Sequence, residues 1–285
     1  ITAVTCVKNE GPFLLEWIAF NRLIGVTDFL FYSNDCTDGT DLLLDALARR
    51  GMVRHLPNPA QGRNYQMEAL KDAARQPIVQ DADWVWVADV DEFLNIHVGD
   101  HTIPALIDAC GDPQAISVTF QFFANDDIEA FEDRPVIGQF TRSHNPDLWC
   151  GQSAIEVKSL VRQDFPLQYF GAHRPFFKKT LAPRKRPMWT DGSGRKVPHK
   201  FLVAANPRRI RKFPAAGARD GGNGDGEHDA TSGGSGEDDG GLFGSFPPAA
   251  QVTLLGAAGA GAARPTRPPE RRVHRPGAAS AWAAG

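Results

Sequence analysis

What this 285-residue sequence lacks narrows its class before any motif is read. It has four cysteines, Cys6, Cys36, Cys110 and Cys150, spread far apart and forming no CxxC pair. That spacing argues against a zinc ribbon or a disulfide-knit scaffold and fits reduced thiols in a cytoplasmic protein. Positive charge is not in excess: the formal net charge is -3, which gives no electrostatic footprint for nucleic acid. No apolar run approaches the roughly 20 residues that span a bilayer, and no basic-then-apolar leader opens the chain at Ile1. The expected location is therefore the cytoplasm, at most peripheral to the inner membrane, with no transmembrane segment. A phosphate loop closing in GK[ST] is also missing, and the glycines near Gly222–Gly226 follow no strand pattern.

What is present divides into two regions. Hydrophobic residues make up 42% and charged residues 23% of the chain, proportions suited to a globular domain. The character changes near Ala215. Residues 1–214 alternate apolar runs with polar loops, whereas residues 215–285 are rich in Gly, Ala, Pro and Arg. Such a tail buries too little apolar surface to offset chain entropy and is expected to be disordered. Its composition resembles a GC-rich gene read out of frame from about Ala218–Gly221 onward.

Within residues 1–214 the pattern is βαβαβ. Ile1–Val7 reads as a strand, and Pro12 suits the first position of a helix. Phe13, Trp17, Phe20 and Ile24 recur at helical spacing until Gly25. Asp28–Ser33 is a second strand, and a helix carrying Leu42, Leu43, Ala46 and Leu47 follows. Met52–Leu56, a helix over Gly62–Arg75, the apolar strand Trp84–Ala88, a short helix over Thr102–Cys110 and the strand Ala115–Phe123 complete the rhythm. The WVWV run does not alternate, which predicts burial on both faces. The expected fold is α/β, a mostly parallel Rossmann-like sheet with helices on both faces. Such sheets bind ligands beyond the carboxyl ends of their strands, so the loops Lys8–Glu10, Asn34–Asp38 and Asp89–Glu92 hold the candidate site.

Asp89, Asp91 and Glu92 crowd together directly after the buried strand. Like charges this close raise one another's pKa unless a cation is shared. Mg2+ or Mn2+, held by one or two carboxylates and a ligand's phosphates, would relieve the repulsion. In extended backbone Asp89 and Asp91 point to the same side. In the second loop, Asp38 and Thr40 suit a helix cap, while Asn34 or Asp35 is free to meet a base or ribose. Lys8-Asn9-Glu10 precedes a helix whose N-terminus favours anions. Asp126, Asp127 and Glu129 (FFANDDIE) are candidates for a general base. His173 (YFGAHRPFF) is a candidate metal ligand, and Arg174 beside it is a candidate phosphate ligand. The basic runs Arg184–Arg186 and Arg208–Lys212 are solvated faces or an anionic acceptor surface.

The string VTCVKNEGPFLLEWIAFNRLIGVTDFLFYSNDCTDGT, followed by WVWVADVDEFL, resembles the family 2-type glycosyltransferases. More narrowly it resembles a bacterial branch that shares a KNE…LLEW…N-R-x-x-G opening and is related in pattern to family 92. The resemblance covers about Ile1 to Phe213. It implies a GT-A-like fold, a nucleoside-diphosphate sugar donor such as a UDP- or GDP-sugar, a hydroxyl acceptor such as a glycan, and a divalent cation at the DxD. It places Asn9, Glu10 and Asp35 near the donor base and ribose, and Asp89 and Asp91 at the diphosphate and metal. Arg63 and Asn64 (QGRNYQ) match a donor-side Arg-Asn, and His199 and Lys200 fit the general pattern without an assigned role. The implied activity is sugar transfer, with cell-surface polysaccharide synthesis as the setting. Two alternatives remain: a sugar nucleotidyltransferase, which would be expected to show a Gly-rich basic loop where KNEGPF stands, and a non-catalytic nucleotide-sugar or glycan-binding module. Relatives continue past Phe213 with further helices, so the divergent tail puts the acceptor side in question.

Overall fold

The computed structural model describes residues 1–124, 128, 132–143, 157–177, 186–197 and 252–257. The first half is built as the periodicity predicts. Strand β1 (Thr2–Val7) leads into helix α1 (Gly11–Leu23), then β2 (Asp28–Ser33), α2 (Thr40–Arg49), β3 (Arg54–Pro57), α3 (Tyr65–Ala73), the single turn α4 (Pro77–Gln80) and β4 (Trp84–Val87). After β4 the chain turns sharply into β5 (Glu92–Ile96), passes through α5 (Ile103–Ala109), and enters β6 (Ala115–Phe123). The short α6 (Val136–Gln139), β7 (Val157–Arg162), β8 (Leu167–Tyr169), β9 (Phe176–Phe177), β10 (Trp189–Asp191) and β11 (Val252–Ala257) follow.

Among the described residues, one nine-stranded sheet runs in the order β3-β2-β1-β4-β7-β6-β11-β5, with β10 also on β6. β1 pairs in parallel with β2 and β4, and β2 with β3. This parallel half is the βαβ expectation. β7 enters antiparallel between β4 and β6. β10 and β11 lie parallel to successive stretches of β6, and β11 is antiparallel to β5.

The sheet has a hydrophobic core on each face. Phe29, Phe31, Trp84, Trp86 and Leu160 point to one side, where α1, α2 and α5 cover them. Leu30, Tyr32, Val85, Val87 and Val161 point to the other, against α3 and α4. All four residues of β4 are buried, as the unbroken apolar run requires. On α1 the deeply buried residues are Leu14, Trp17, Ile18 and Asn21. Phe13 and Phe20, expected on the core face, lie at its margin and pack partly buried against the cluster. Leu42, expected in the core face of α2, is 68% exposed, and Leu44 takes that place. The shift is one position on α1 and two on α2, which apolar spacing alone resolves poorly.

Val252–Ala257 falls inside the stretch that composition assigns to a disordered tail, yet it forms β11. Its run VTLLGA is a brief apolar, β-branched island within the Gly- and Pro-rich surroundings, long enough to fill the slot between β5 and β6.

Candidate functional site

The carboxyl ends of β1, β2 and β4 lie side by side, so the loops that leave them share one edge of the sheet. Side chains then tie those loops together. Asn9, in the left-handed region at φ 60°, accepts hydrogen bonds through its Oδ1 from the Thr37 backbone N–H at 2.7 Å and the Thr37 hydroxyl at 3.4 Å. Asp38 Oδ2 accepts from the Gly11 N–H at 3.2 Å. Its Oδ1 accepts from the Thr40 N–H at 2.9 Å and the Thr40 hydroxyl at 2.6 Å. Burial alone would raise the Asp38 carboxyl, but these hydrogen bonds outweigh it and hold the pKa below the ordinary aspartate value. Asp38 thus holds Thr40, the first residue of α2, from just before the Gly39 N-cap, leaving Asp35 exposed beside Lys8, 3.7 Å away. Asp35 also meets the Tyr65 hydroxyl, and its charge raises the tyrosine's pKa.

The turn after β4 is the most charged part of this edge. Asp89 Oδ1 accepts from the Gln66 side chain at 3.1 Å, and Asp89 Oδ2 lies 2.9 Å from the Lys158 ammonium. The same ammonium lies 3.0 Å from Glu92 Oε2, which also accepts from the Asp89 N–H at 2.9 Å. Lys158 is fully buried and Glu92 is 5% exposed. Burial alone would lower the lysine's pKa, but Glu92 and Asp89 outweigh it, and the group stays charged with a pKa above the ordinary lysine value. Burial drives the Glu92 carboxyl upward, with Lys158 pulling against it. The Trp17 indole N–H donates to the Glu92 carbonyl at 2.9 Å, fixing this turn to α1.

Asp91 is left outside the ion pair, and its side chain reaches solvent. The walls around it still limit hydration, and that desolvation, followed by the Asp89 charge, raises its pKa. Glu10 sits close by, half-buried. Burial first, then Asp91, Asp38 and Asp89, push its pKa up to about 7. Beside Asp91 opens a pocket of about 260 Å³ lined by Phe93, Phe123, Val136, Ile137, Phe140 and Thr141. One wall is α6, whose Val136 and Ile137 N–H groups donate to the Glu16 carboxylate at 2.6 and 3.1 Å.

The sequence profile of glycosyltransferase family 92 matches residues 2–172, the stretch that contains all of these loops. The chain belongs to glycosyltransferase family 92. A family 92 protein of Ricinus communis is 30% identical over 99 residues, covering 33% of this chain and 17% of that protein. A family 92 protein of Oryza sativa subsp. japonica is 29% identical over 93 residues, covering 32% and 15%. The matched part of the chain spans less than a fifth of either relative. Among solved structures, S. aureus TarS 1–349 superposes with a TM-score of 0.37 at 9% identity, covering 67% of this chain and 60% of that one. Glucosyl-3-phosphoglycerate synthase from Mycobacterium tuberculosis, solved with Mn2+, UDP and glucosyl-3-phosphoglycerate, superposes with a TM-score of 0.33 at 17% identity, covering 58% and 57%. Superpositions this loose carry no weight of their own; the family assignment and the α/β sheet agree with the GT-A-like expectation without them.

The remaining sequence candidates of this family 92 chain are spread around and beyond that edge. Arg63 and Asn64 are exposed in the turn before α3, with Asn64 at φ 55°. Arg174 is buried with its guanidinium carbon 5.2 Å over the Phe176 ring, and burial lowers its pKa. The His173 ring meets Phe120 edge-on at 6.2 Å, and its carbonyl accepts from the Ser159 hydroxyl at 3.1 Å. Among the described residues, no three His, Cys, Asp or Glu side chains converge into a metal-holding group. Asp126, Asp127, Glu129, His199, Lys200, Arg184, Lys185 and Arg208–Lys212 lie outside the described residues.

Two residues of the site carry no clear mark in the sequence. Gln66 lies in the QGRNYQ string, but nothing local signals its reach to Asp89. Lys158 sits in VKSLVR, and a lone lysine in a strand defaults to the surface. The available signal is that Lys158 shares a strand face with Leu160, a core position.

Proposed function

We propose that the protein transfers a sugar from a nucleoside-diphosphate donor to a hydroxyl acceptor, with the donor's diphosphate lying over the β4–β5 turn. The observation that carries this reading is the division of labour among the carboxylates. Asp89 and Glu92 are engaged by Lys158, while Asp91, exposed at the pocket, and the half-buried Glu10 lie outside that ion pair with raised pKa values. Both shifts record negative charge crowded into poorly hydrated space, which a cation would relieve. The donor set suits Mg2+ or Mn2+: all-oxygen, offering one or two carboxylates, and leaving the rest of the shell to phosphate and water. Asp91, with Asp89, would hold the ion, and His173 enters as a third candidate ligand.

When bound there, a divalent cation supplies charge neutralisation for the departing diphosphate. The chain's own groups do the rest. Asn9 and Asp38 lock the first two loops together, so that Asp35 and the Lys8–Glu10 backbone form one wall for the base and ribose. Gln66 and Lys158 orient Asp89, and Arg63 and Asn64 border the donor side. The apolar pocket beside Asp91 excludes water from the reacting end and receives the acceptor. Phe123 lines that pocket and closely precedes Asp126 and Asp127 in sequence, which we assign as the source of the base that takes the acceptor's proton. Arg174, buried on Phe176, enters as a phosphate ligand only through a shift in its surroundings. Cell-surface polysaccharide synthesis is the proposed setting, with the protein in the cytoplasm. Among the described residues, no helix is long and apolar enough to cross a membrane.

Calorimetric titration of UDP and GDP, with and without Mn2+, tests the reading on the intact chain and on Asp91→Ala. Manganese-dependent nucleotide binding that disappears in a folded Asp91→Ala variant supports it. Nucleotide affinity unaffected by either manganese or Asp91 rejects the site. Parallel titrations of His173→Ala and Arg174→Ala assign or remove those two residues.

A further inference from the structure

The buried ammonium of Lys158 can do more at this edge than orient Asp89. A GT-A-like turn needs carboxylates to meet a cation, yet here one carboxylate of the pair already has a cation built into the protein. Lys158 enters from β7, the antiparallel strand inserted beside β4. Its Nζ lies 2.9 Å from Asp89 Oδ2 and 3.0 Å from Glu92 Oε2. The lysine side chain is fully buried, the Asp89 side chain 38% exposed and the Glu92 side chain 7% exposed. The ammonium therefore approaches Asp89 from its buried side, while part of the carboxylate stays exposed.

We infer that Lys158 is a resident counter-cation that holds Asp89 against metal binding until the nucleotide diphosphate arrives, so that metal and donor load together. This rests on the donor reading above. The physical reason is electrostatic. A divalent cation that approaches Asp89 alone meets a fixed positive charge on the carboxylate's far side, in a place where water screens poorly. It also finds Asp89 already neutralised. A diphosphate brings its own negative charge and its own oxygen ligands, which offset the lysine and complete the shell. Lys158 is thus a positioning residue acting through Asp89, with Gln66 steering the carboxylate's other oxygen.

The test is Mn2+ binding to the nucleotide-free 285-residue chain, read by the loss of the free-ion electron paramagnetic resonance signal, then repeated with UDP. Lys158→Met should bind Mn2+ alone about tenfold or more tightly than the parent, the scale on which groups touching a metal's ligands alter its affinity. The gain that UDP gives should shrink correspondingly. A lysine that merely held the fold together would lower metal affinity when lost, not raise it. Because Lys158→Met strands two carboxylates and can unfold the chain, the double variant Lys158→Met/Glu92→Gln is measured beside it. That pair removes the lysine together with its buried carboxylate partner, so Glu92 is not left stranded and the competition for Asp89 is lifted. Tighter metal-alone binding in a folded single or double variant supports the inference. Parent-like Mn2+ affinity in a folded double variant overturns it. The donor reading fails separately, if the parent protein takes up no Mn2+ with UDP present.

Discussion

Glu10 carries the clearest pH signature of the site. Burial, and after it the charges of Asp91, Asp38 and Asp89, push its pKa from 4.5 up to about 7. Below the lower value the folded and unfolded chains both keep the proton, and Glu10 costs nothing. Between the two values the unfolded chain ionises while the folded one resists, so stability falls as pH rises. The loss is complete above the folded value. Glu10→Gln should therefore raise the melting temperature in metal-free buffer at about pH 8 and leave it unchanged at about pH 4. Equal shifts at both pH values would mean that Glu10 acts through shape and hydrogen bonding. Lys158 makes the complementary prediction. Removing one partner of a buried ion pair leaves the others uncompensated and typically costs about 3–5 kcal/mol. Lys158→Met should lose stability on that scale by urea denaturation, and Lys158→Met/Glu92→Gln should recover part of it. No recovery would place the cost in packing and not in stranded charge.

The limit of legibility at the residue scale falls between these two side chains. Asp89, Asp91 and Glu10 are visible in the sequence because carboxylates and loops adjoin strands that the apolar pattern locates. Lys158 is not, because its partners lie in a separate stretch of chain and its strand lacks a helix-flanked signature. Pairing between distant strands leaves no local trace when a single charge is the only mark.

Elements hold the site through a few polar ties that cross the sheet's layers. Ser33 at the end of β2 meets His55 of β3 through Oγ and Nε2 at 2.8 Å, and His55 Nδ1 lies 2.8 Å from Asp45 Oδ1 on α2. His55 is nearly buried, with 8% of its side chain exposed. His55→Ala should cost about 1–3 kcal/mol by equilibrium denaturation, the penalty for stranding the buried Ser33 hydroxyl. A change within experimental error would mean that water replaces the imidazole. Trp17 offers a cleaner separation of packing from polarity. It is fully buried, packs edge-on against Phe29 and Phe31, and donates to the Glu92 carbonyl. Trp17→Phe retains much of the ring contact but frees that carbonyl and leaves some volume unfilled. Loosening there should weaken manganese-dependent nucleotide binding more than it lowers stability. The βαβ half of the molecule is legible because strands and helices alternate with clean periods and punctuating glycines. From β7 onward the strands mix antiparallel and parallel pairing, and β8, β9 and β10 are only two or three residues long, so neither period 2 nor period 3.6 persists long enough to be read.

At the scale of the whole molecule, composition proposes that residues 1–214 stand alone as a domain. The sheet argues that they lean on a later strand. β6 pairs with β7 along one edge, and along the other it meets β10 over Ala115–Ser117 and β11 over Thr119–Phe123. β11 is also the strand that joins β5 to the rest of the sheet. Without it, the backbone groups of β5 and of the second half of β6 lose their ladder partners. The same two strands supply Phe93 and Phe123 to the pocket beside Asp91. Buried backbone groups left without partners are costly, and exposed edges invite pairing between molecules. A chain ending after residue 214 should therefore melt at a lower temperature than the full chain and self-associate in sedimentation. Adding back a peptide covering Val252–Ala257 should reverse part of that change. The parallel half, β3-β2-β1-β4, keeps all its own ladders in either case, so protection of its amides from hydrogen exchange should persist while that of β5 and β6 falls. If β5 and β6 stay as protected in the shortened chain as in the full one, the domain closes without β11, and the compositional boundary near Ala215 is the physical one.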